Sequence, residues 1–253
     1  MIDIHCHILP HLDDGAQTFE ESYNMAKQAI NEGITAIIAT PHYQEKYRND
    51  KQKIVREAYR LNERLQAEDF PLSIHPGQEV RIFGEVLQEW QEGKIQTLAD
   101  TNYMFIEFPS NHVPKYTERL FYDMQLEGLI PIIVHPERNQ QLIEQPELLY
   151  RLVKKGALTQ VTAGSLVGHF GKNVKKFTQQ IIEANLTHFI ASDAHNITTR
   201  PFHFNKAIDA LDKLYGTEIV YLFTENAELL LNGENVMKEM PGKIKRKRVF
   251  GLF

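Results

Sequence analysis

Short apolar runs alternate along this chain with longer segments whose apolar positions recur at helical spacing. Residues 35–42, Thr-Ala-Ile-Ile-Ala-Thr-Pro-His, are almost wholly apolar, as expected of a strand buried on both faces. Runs at 72–79, 103–108, 130–135, 158–163 and 186–193 read the same way. The opening residues alternate Ile2 and Ile4 with Asp3 and His5, the pattern of a strand with one buried face. Helices are expected over 18–31, 50–68, 84–92, 114–127, 147–155 and 173–185, with two more at 204–215 and 217–231. Thr18 and Glu21 form a capping box for the first, Pro114 opens the fourth, and Gly33 and Gly128 supply stops. Seven strands alternating with helices predict an α/β protein with a parallel sheet.

The polar residues refine this picture. His5 and His7, His42, Glu79, Glu107, His135, and Asp193 with His195 all fall at or just past the C-terminal ends of the expected strands. In a closed α/β barrel those ends meet on one face, where barrel enzymes carry their chemistry; an open sheet would scatter them along an edge. The expected architecture is therefore a single (β/α)7 TIM-like barrel with a metal site at the strand ends.

Composition supports this and excludes other classes. A chain of 253 residues with 42% hydrophobic and 24% charged residues has ample material for one core. No apolar run approaches the roughly 20 residues of a membrane helix, and no signal peptide is visible. One cysteine, Cys6, excludes an internal disulfide and fits a cytoplasmic setting. Lys243, Lys245, Arg246, Lys247 and Arg248 contribute +5 to a net charge of −5, which leaves −10 on the body before them. An acidic body argues against nucleic-acid binding. The domain is expected over 1–242, followed by a basic tail at 243–253.

On an extended strand His5 and His7 point the same way, and two imidazoles converging at a strand end grip a divalent cation. Asp13 and Asp14, in the Gly15-ended loop, stand near enough to add oxygen. A nitrogen and oxygen donor set suits Mn, Fe, Zn or Co, and it exceeds what one ion takes, so two or three ions are expected. Clustered divalent ions clamp a phosphoryl oxygen and generate hydroxide at neutral pH. Arg138, three residues past His135, and Arg200, five past His195, offer guanidinium forks for phosphate. Attack by a hydroxide bridging the ions, in line with the leaving oxygen, is the expected mechanism. A cysteine-nucleophile route needs an arginine six residues after Cys6, and Leu12 stands there. His75, His112, His169, His188 and His203 read as ordinary surface or core histidines, and His11 is left unassigned.

His5-Cys-His7, the Leu9-to-Gly15 loop, Thr40-Pro-His42, Gly77-Gln-Glu79, Ile106-Glu107-Phe-Pro, His135-Pro-Glu-Arg138 and Ser192-Asp-Ala-His195 together resemble the polymerase-and-histidinol-phosphatase (PHP) superfamily. Within it, the whole chain resembles the bacterial manganese-dependent protein-tyrosine phosphatases encoded with capsule or exopolysaccharide genes. That resemblance implies a distorted barrel with a trinuclear manganese site. His5, His7, Glu79 and Asp193 would hold one ion, with Glu79 bridging to a second held by Glu107 and His135. Asp14, His42 and His195 would hold the third. Arg138 and Arg200 would orient phosphate, and with Glu107 they make up the implied catalytic set. The implied substrate is the phosphotyrosine cluster at the C-terminus of a bacterial tyrosine kinase that controls polysaccharide export.

Two rivals follow from the same residues: a small-molecule phosphatase, such as one for histidinol phosphate, and a non-catalytic metal-binding docking module. Tyr43, Tyr47, Phe83, Phe108 and Tyr116 flank ligand-bearing strands and favour an open, aromatic mouth. The basic tail suggests weak attraction to anionic lipid or an acidic partner.

Overall fold

The computed structural model describes residues 1–244. Its first half contains β1 (Ile2–Cys6), α1 (Phe19–Asn31), β2 (Ala36–Ala39), β3 (His42–Gln44), β4 (Tyr47–Arg48), α2 (Lys51–Ala67), β5 (Ser73–Pro76), β6 (Glu79–Arg81) and α3 (Val86–Gln91). There follow β7 (Tyr103–Glu107), α4 (Thr117–Leu126), β8 (Ile130–Val134), α5 (Gln140–Glu144), α6 (Pro146–Lys154), β9 (Leu158–Thr162), α7 (Ala163–Val167), α8 (Lys172–Glu183), β10 (Phe189–Ala191), α9 (Phe204–Tyr215) and α10 (Thr217–Leu231). Local chemistry explains the helix starts: Thr18 caps α1 by accepting from the Glu21 amide, and Asp50 caps α2 by accepting from that of Lys53.

Among the described residues every ladder but one is parallel, as the β-α rhythm requires. The exception is the hairpin of β3 and β4, which the sequence pattern did not predict. The strands are divided between two sheets, β1-β2-β5 and β10-β9-β8-β7-β6-β3-β4, and among the described residues no single closed seven-strand ladder forms. The expected distorted barrel is thus not seen as one closed sheet, and the cause lies in two expected strands. The run 35–42 breaks at Thr40-Pro41, where proline offers no N–H to a ladder, so β2 and β3 pair in different sheets. The run 72–79 breaks in the same way at Gly77-Gln78, between β5 and β6. At the other edge, β1 bonds to the segment past β10: the Asp193 amide donates to the His5 carbonyl and the His7 amide to that of Ala194, both at 2.8 Å.

Alternate strand residues face different clusters. Ile4, Ile38, Phe105, Ile132, Leu158 and Phe189, drawn from both sheets, pack with Ala227 and Leu230 of α10. Met104, Ile106, Ile133, Val161 and Ile190 pack instead against the helices. Both strand faces are thereby buried, which is why the runs read as continuously apolar. The expected helix at 114–127 begins later, at Thr117, and α5 and α7 are additional short helices. The basic segment 245–253 lies outside the described residues; Lys243 pairs with Glu147 at 2.9 Å.

Candidate metal centre

All nine expected ligands gather in one cluster, although His42 and Glu79 stand at the starts of β3 and β6 rather than at C-terminal strand ends as expected. β1 carries His5 at its end and His7 just beyond it; His42 and Glu79 open β3 and β6 in direct register; Glu107 closes β7. His135 and Asp193 follow β8 and β10 in left-handed conformations (φ 35° and 53°). Such backbone costs about 1–3 kcal/mol per residue, and it clusters where function over-determines the geometry.

Three overlapping donor groups result, each with ligand atoms within 4.8 Å of one another: His5, His7, Glu79 and Asp193; His42, Glu79 and Glu107; and His7, Asp14, His42 and His195. The first is fully buried, with His5 Nε2 and His7 Nε2 each 3.3 Å from Glu79 Oε2. His135 falls outside the three groups and is seated with Nε2 2.7 Å from Glu79 Oε1. Asp14 stands half-exposed at the mouth, 3.4 Å from His42 Nε2. Glu79 Oε2, Asp193 Oδ1 and His195 Nε2 are buried without a hydrogen-bond partner. Unpaired buried groups of this kind are costly, and cations held in the donor groups to which they belong would satisfy them. The donor set therefore fits divalent metal ions.

Arg138 and Arg200 converge from separate turns on one atom: their Nη2 groups donate to Asp193 Oδ2 at 2.6 and 2.9 Å. Both line a cavity of about 470 Å³, with Asp14, Glu79, Glu107 and His135 also in its wall. Burial, and then the Arg138 guanidinium, pushes His135 down to about 4. Burial, and then His7, pushes His195 down to about 3. Both imidazoles are thus neutral and able to ligate. Burial and the neighbouring Glu79 push Glu107 up to about 7. Burial works against charge on Asp193 too, yet Arg138 and Arg200 hold its carboxyl well below the usual range.

The expected histidines outside the centre stay outside it. His11 is exposed, and His188 is a buried structural group. Of the expected aromatics, Phe108 lines the cavity and Tyr47 stacks on His42, with ring centroids 6.0 Å apart. Tyr43 and Phe83 pack together instead, Tyr43 in the core, and Tyr116 is exposed. Cys6 is buried with its thiol pushed up by burial and the nearby Asp3, which leaves no thiolate nucleophile.

Several residues contribute in ways that sequence reasoning did not assign. Asp13 accepts from the His42 amide at 2.9 Å and stands 2.6 Å from His7 Nδ1, while Gln160 Oε1 lies 2.9 Å from His5 Nδ1. Gly15 lets its loop close on His7, since a Cβ there would lie 2.1 Å from the His7 carbonyl oxygen. Arg81 Nε sits 3.1 Å from Glu107 Oε2. Asn196 Oδ1 accepts from the amides of Thr198, Thr199 and Arg200 and so shapes the turn that presents Arg200. Phe170 joins the cavity wall. The Asp13-Asp14-Gly15 loop carried a sequence signal, and the Asn196 turn is local; the contacts of Gln160, Arg81 and Phe170 span elements far apart in the chain.

A family model for capsular polysaccharide synthesis proteins of the CpsB/CapC type matches residues 1–232, and the chain belongs to that family. It is 52% identical over 254 residues to the tyrosine-protein phosphatase YwqE of Bacillus subtilis (strain 168), with both chains covered in full. It is 28% identical to the tyrosine-protein phosphatase CpsB of Streptococcus agalactiae serotype III, over 93% of this chain and 100% of that one. Among solved structures it resembles a chain from the crystal structures of YwqE from Bacillus subtilis and CpsB from Streptococcus pneumoniae, described as unique metal-dependent tyrosine phosphatases. That match has a TM-score of 0.95 at 52% identity and covers 97% of this chain and all of the other.

Proposed function

We propose that this chain is a metal-dependent protein-tyrosine phosphatase acting on phosphotyrosine proteins in capsular or exopolysaccharide synthesis, foremost the C-terminal tail of a bacterial tyrosine kinase. The observation that carries this reading is the convergence of Arg138 and Arg200 on Asp193 within one cavity walled by the donor groups. The names of the relatives support the substrate class.

His5, His7, Glu79 and Asp193 would hold one ion, Glu79 and Glu107 with His135 a second, and Asp14, His42 and His195 a third, with manganese the metal proposed. When bound, divalent ions of this kind polarise the phosphoryl group and lower the pKa of water to furnish a nucleophile at neutral pH. Arg138 and Arg200 bind the phosphate oxygens with their guanidinium forks and offset the charge that builds as the ester bond breaks. Asp193 Oδ2 keeps both forks aimed into the cavity before substrate arrives. Glu107 lines the same cavity, paired with Arg81. A tyrosine phenolate, with a pKa of about 10, leaves with less help from an acid than an alkoxide needs.

We further infer that the two sheets make up one distorted (β/α)7 barrel over 1–242, a reading supported by the backbone bonds from β1 to residues 193–194. A cytoplasmic setting is proposed from the single cysteine, with 243–253 as a weak contact for an acidic partner or lipid. The test is to strip the protein with a chelator, restore Mn²⁺, and compare phosphate release from a Tyr-rich phosphopeptide and from histidinol phosphate. Mn-dependent release from the phosphopeptide is expected. Preference for histidinol phosphate would move the chain to the small-molecule phosphatases, and no release from either with metal bound would leave a docking module.

A further inference from the structure

Phe170 belongs to none of the three hydrophobic clusters, yet it forms part of the wall of the charged cavity. The Arg138 guanidinium lies over its ring at 5.1 Å from the centroid, and the ring is only partly buried. The backbone is shaped to present it. Gly168 (φ 93°) and Gly171 (φ 92°), both left-handed, bracket His169 and Phe170 in a hook between α7 and α8. The His169 amide donates to the Gly164 carbonyl at 2.8 Å, and that of Gly171 to Gly168 at 3.1 Å. A Cβ on Gly164 would come within 3.2 Å of Phe170 Cε2, so the ring rests on bare backbone. The His169 ring meets Phe170 edge-on at 5.0 Å, and its Nε2 reaches the Thr199 carbonyl at 2.8 Å. The hook is thereby tied to the turn that carries Arg200.

We propose that Phe170 determines specificity: its partly buried ring, in the cavity wall beside Arg138, receives the ring of an aryl phosphate, so the cavity prefers phosphotyrosine to alkyl phosphates. The proposal rests on the phosphatase reading above and adds the group that selects the substrate class. Phosphate held by Arg138 brings the ester substituent beside the ring that Arg138 covers. A phenyl substituent gains an offset or edge-to-face aromatic contact there, and a serine methylene gains little. Most other groups in the wall are charged or polar, and they read the phosphate rather than what it is attached to.

The test compares wild type, Phe170→Leu and Phe170→Tyr, each loaded with Mn²⁺. Peptides of one sequence carry phosphotyrosine or phosphoserine, the latter read as substrate or competitive inhibitor, and inorganic phosphate is tested as inhibitor. Phe170→Leu is expected to lower kcat/KM for the phosphotyrosine peptide about five- to tenfold, mostly through KM. The phosphoserine and phosphate constants should stay within about twofold, and Phe170→Tyr should restore the phosphotyrosine value. An equal loss on both peptides, or weakened phosphate inhibition, would mean that Phe170 only braces Arg138 and would overturn the proposal. So would an unchanged kcat/KM for phosphotyrosine. If wild type hydrolyses other monoesters but not the phosphotyrosine peptide, the protein-tyrosine phosphatase reading itself has failed, and that is seen before any variant is made.

Discussion

His5 and His7 bring their Nε2 atoms to 3.3 Å of each other. Their Nδ1 atoms are both engaged by acceptors, Gln160 Oε1 for His5 and Asp13 Oδ2 for His7. When Nδ1 donates to those acceptors, the Nε2 atom of each ring is left to ligate. Glu79 Oε2 and Asp193 Oδ1 border the same point, so the four side chains frame a seat for one cation.

Asp13 and Gln160 should therefore control metal affinity without touching the metal. Asp13→Asn and Gln160→Leu are each expected to weaken Mn²⁺ binding about 10- to 100-fold. Titration against a competing fluorescent chelator measures this, with circular dichroism to check the fold. Wild-type affinity in both variants would show that the two histidines need no outside orientation.

Arg138 and Arg200 should act on substrate and not on metal content. Arg138→Met and Arg200→Met are each expected to lower kcat/KM for a phosphotyrosine peptide by about 100-fold or more. Inhibition by phosphate should weaken in parallel while the number of ions bound is unchanged. Loss of ions from either variant would instead assign the guanidinium to holding Asp193 in place.

His188 gives the fold a pH dependence separate from the centre. Burial, and then Lys238, pushes it down to about 3, and its neutral Nδ1 accepts from the Thr159 amide at 3.1 Å. Because the folded value lies below the unfolded value of about 6.5, the unfolded chain takes the proton first. The neutral ring's contribution is whole above about pH 6.5 and is lost as pH falls toward 3, by up to about 1.4 kcal/mol per unit. In urea unfolding of the metal-free protein, wild type should lose more stability than His188→Gln between about pH 7.5 and about pH 5. Equal losses would rule His188 out as the cause.

Much of the centre was legible because two signals coincide in the sequence. An apolar run marks a strand buried on both faces, and a His, Asp or Glu at its end marks the open face, as at Ile130–Val134 followed by His135. The signal fails where the backbone breaks inside a run. Thr40-Pro41 and Gly77-Gln78 look like strand interiors by hydropathy, but there the ladder passes from one sheet to the other. The short helices α5 and α7 have too few turns to show a period. Gln160, Arg81 and Phe170 were invisible for another reason: each acts through a neighbour far away in sequence, and nothing local distinguishes it from a core or surface residue.

Glu79 tests the account most directly. It belongs to two of the three donor groups, and its carboxylate touches His135 through Oε1 and faces His5, His7 and His42 through Oε2. Metal per chain, counted by mass spectrometry after reconstitution with Mn²⁺, should be about two to three in wild type. Glu79→Gln keeps the volume but removes the charge; it should lose at least one ion together with phosphotyrosine hydrolysis. An unchanged ion count in Glu79→Gln would contradict the shared carboxylate on which the proposed centre is built.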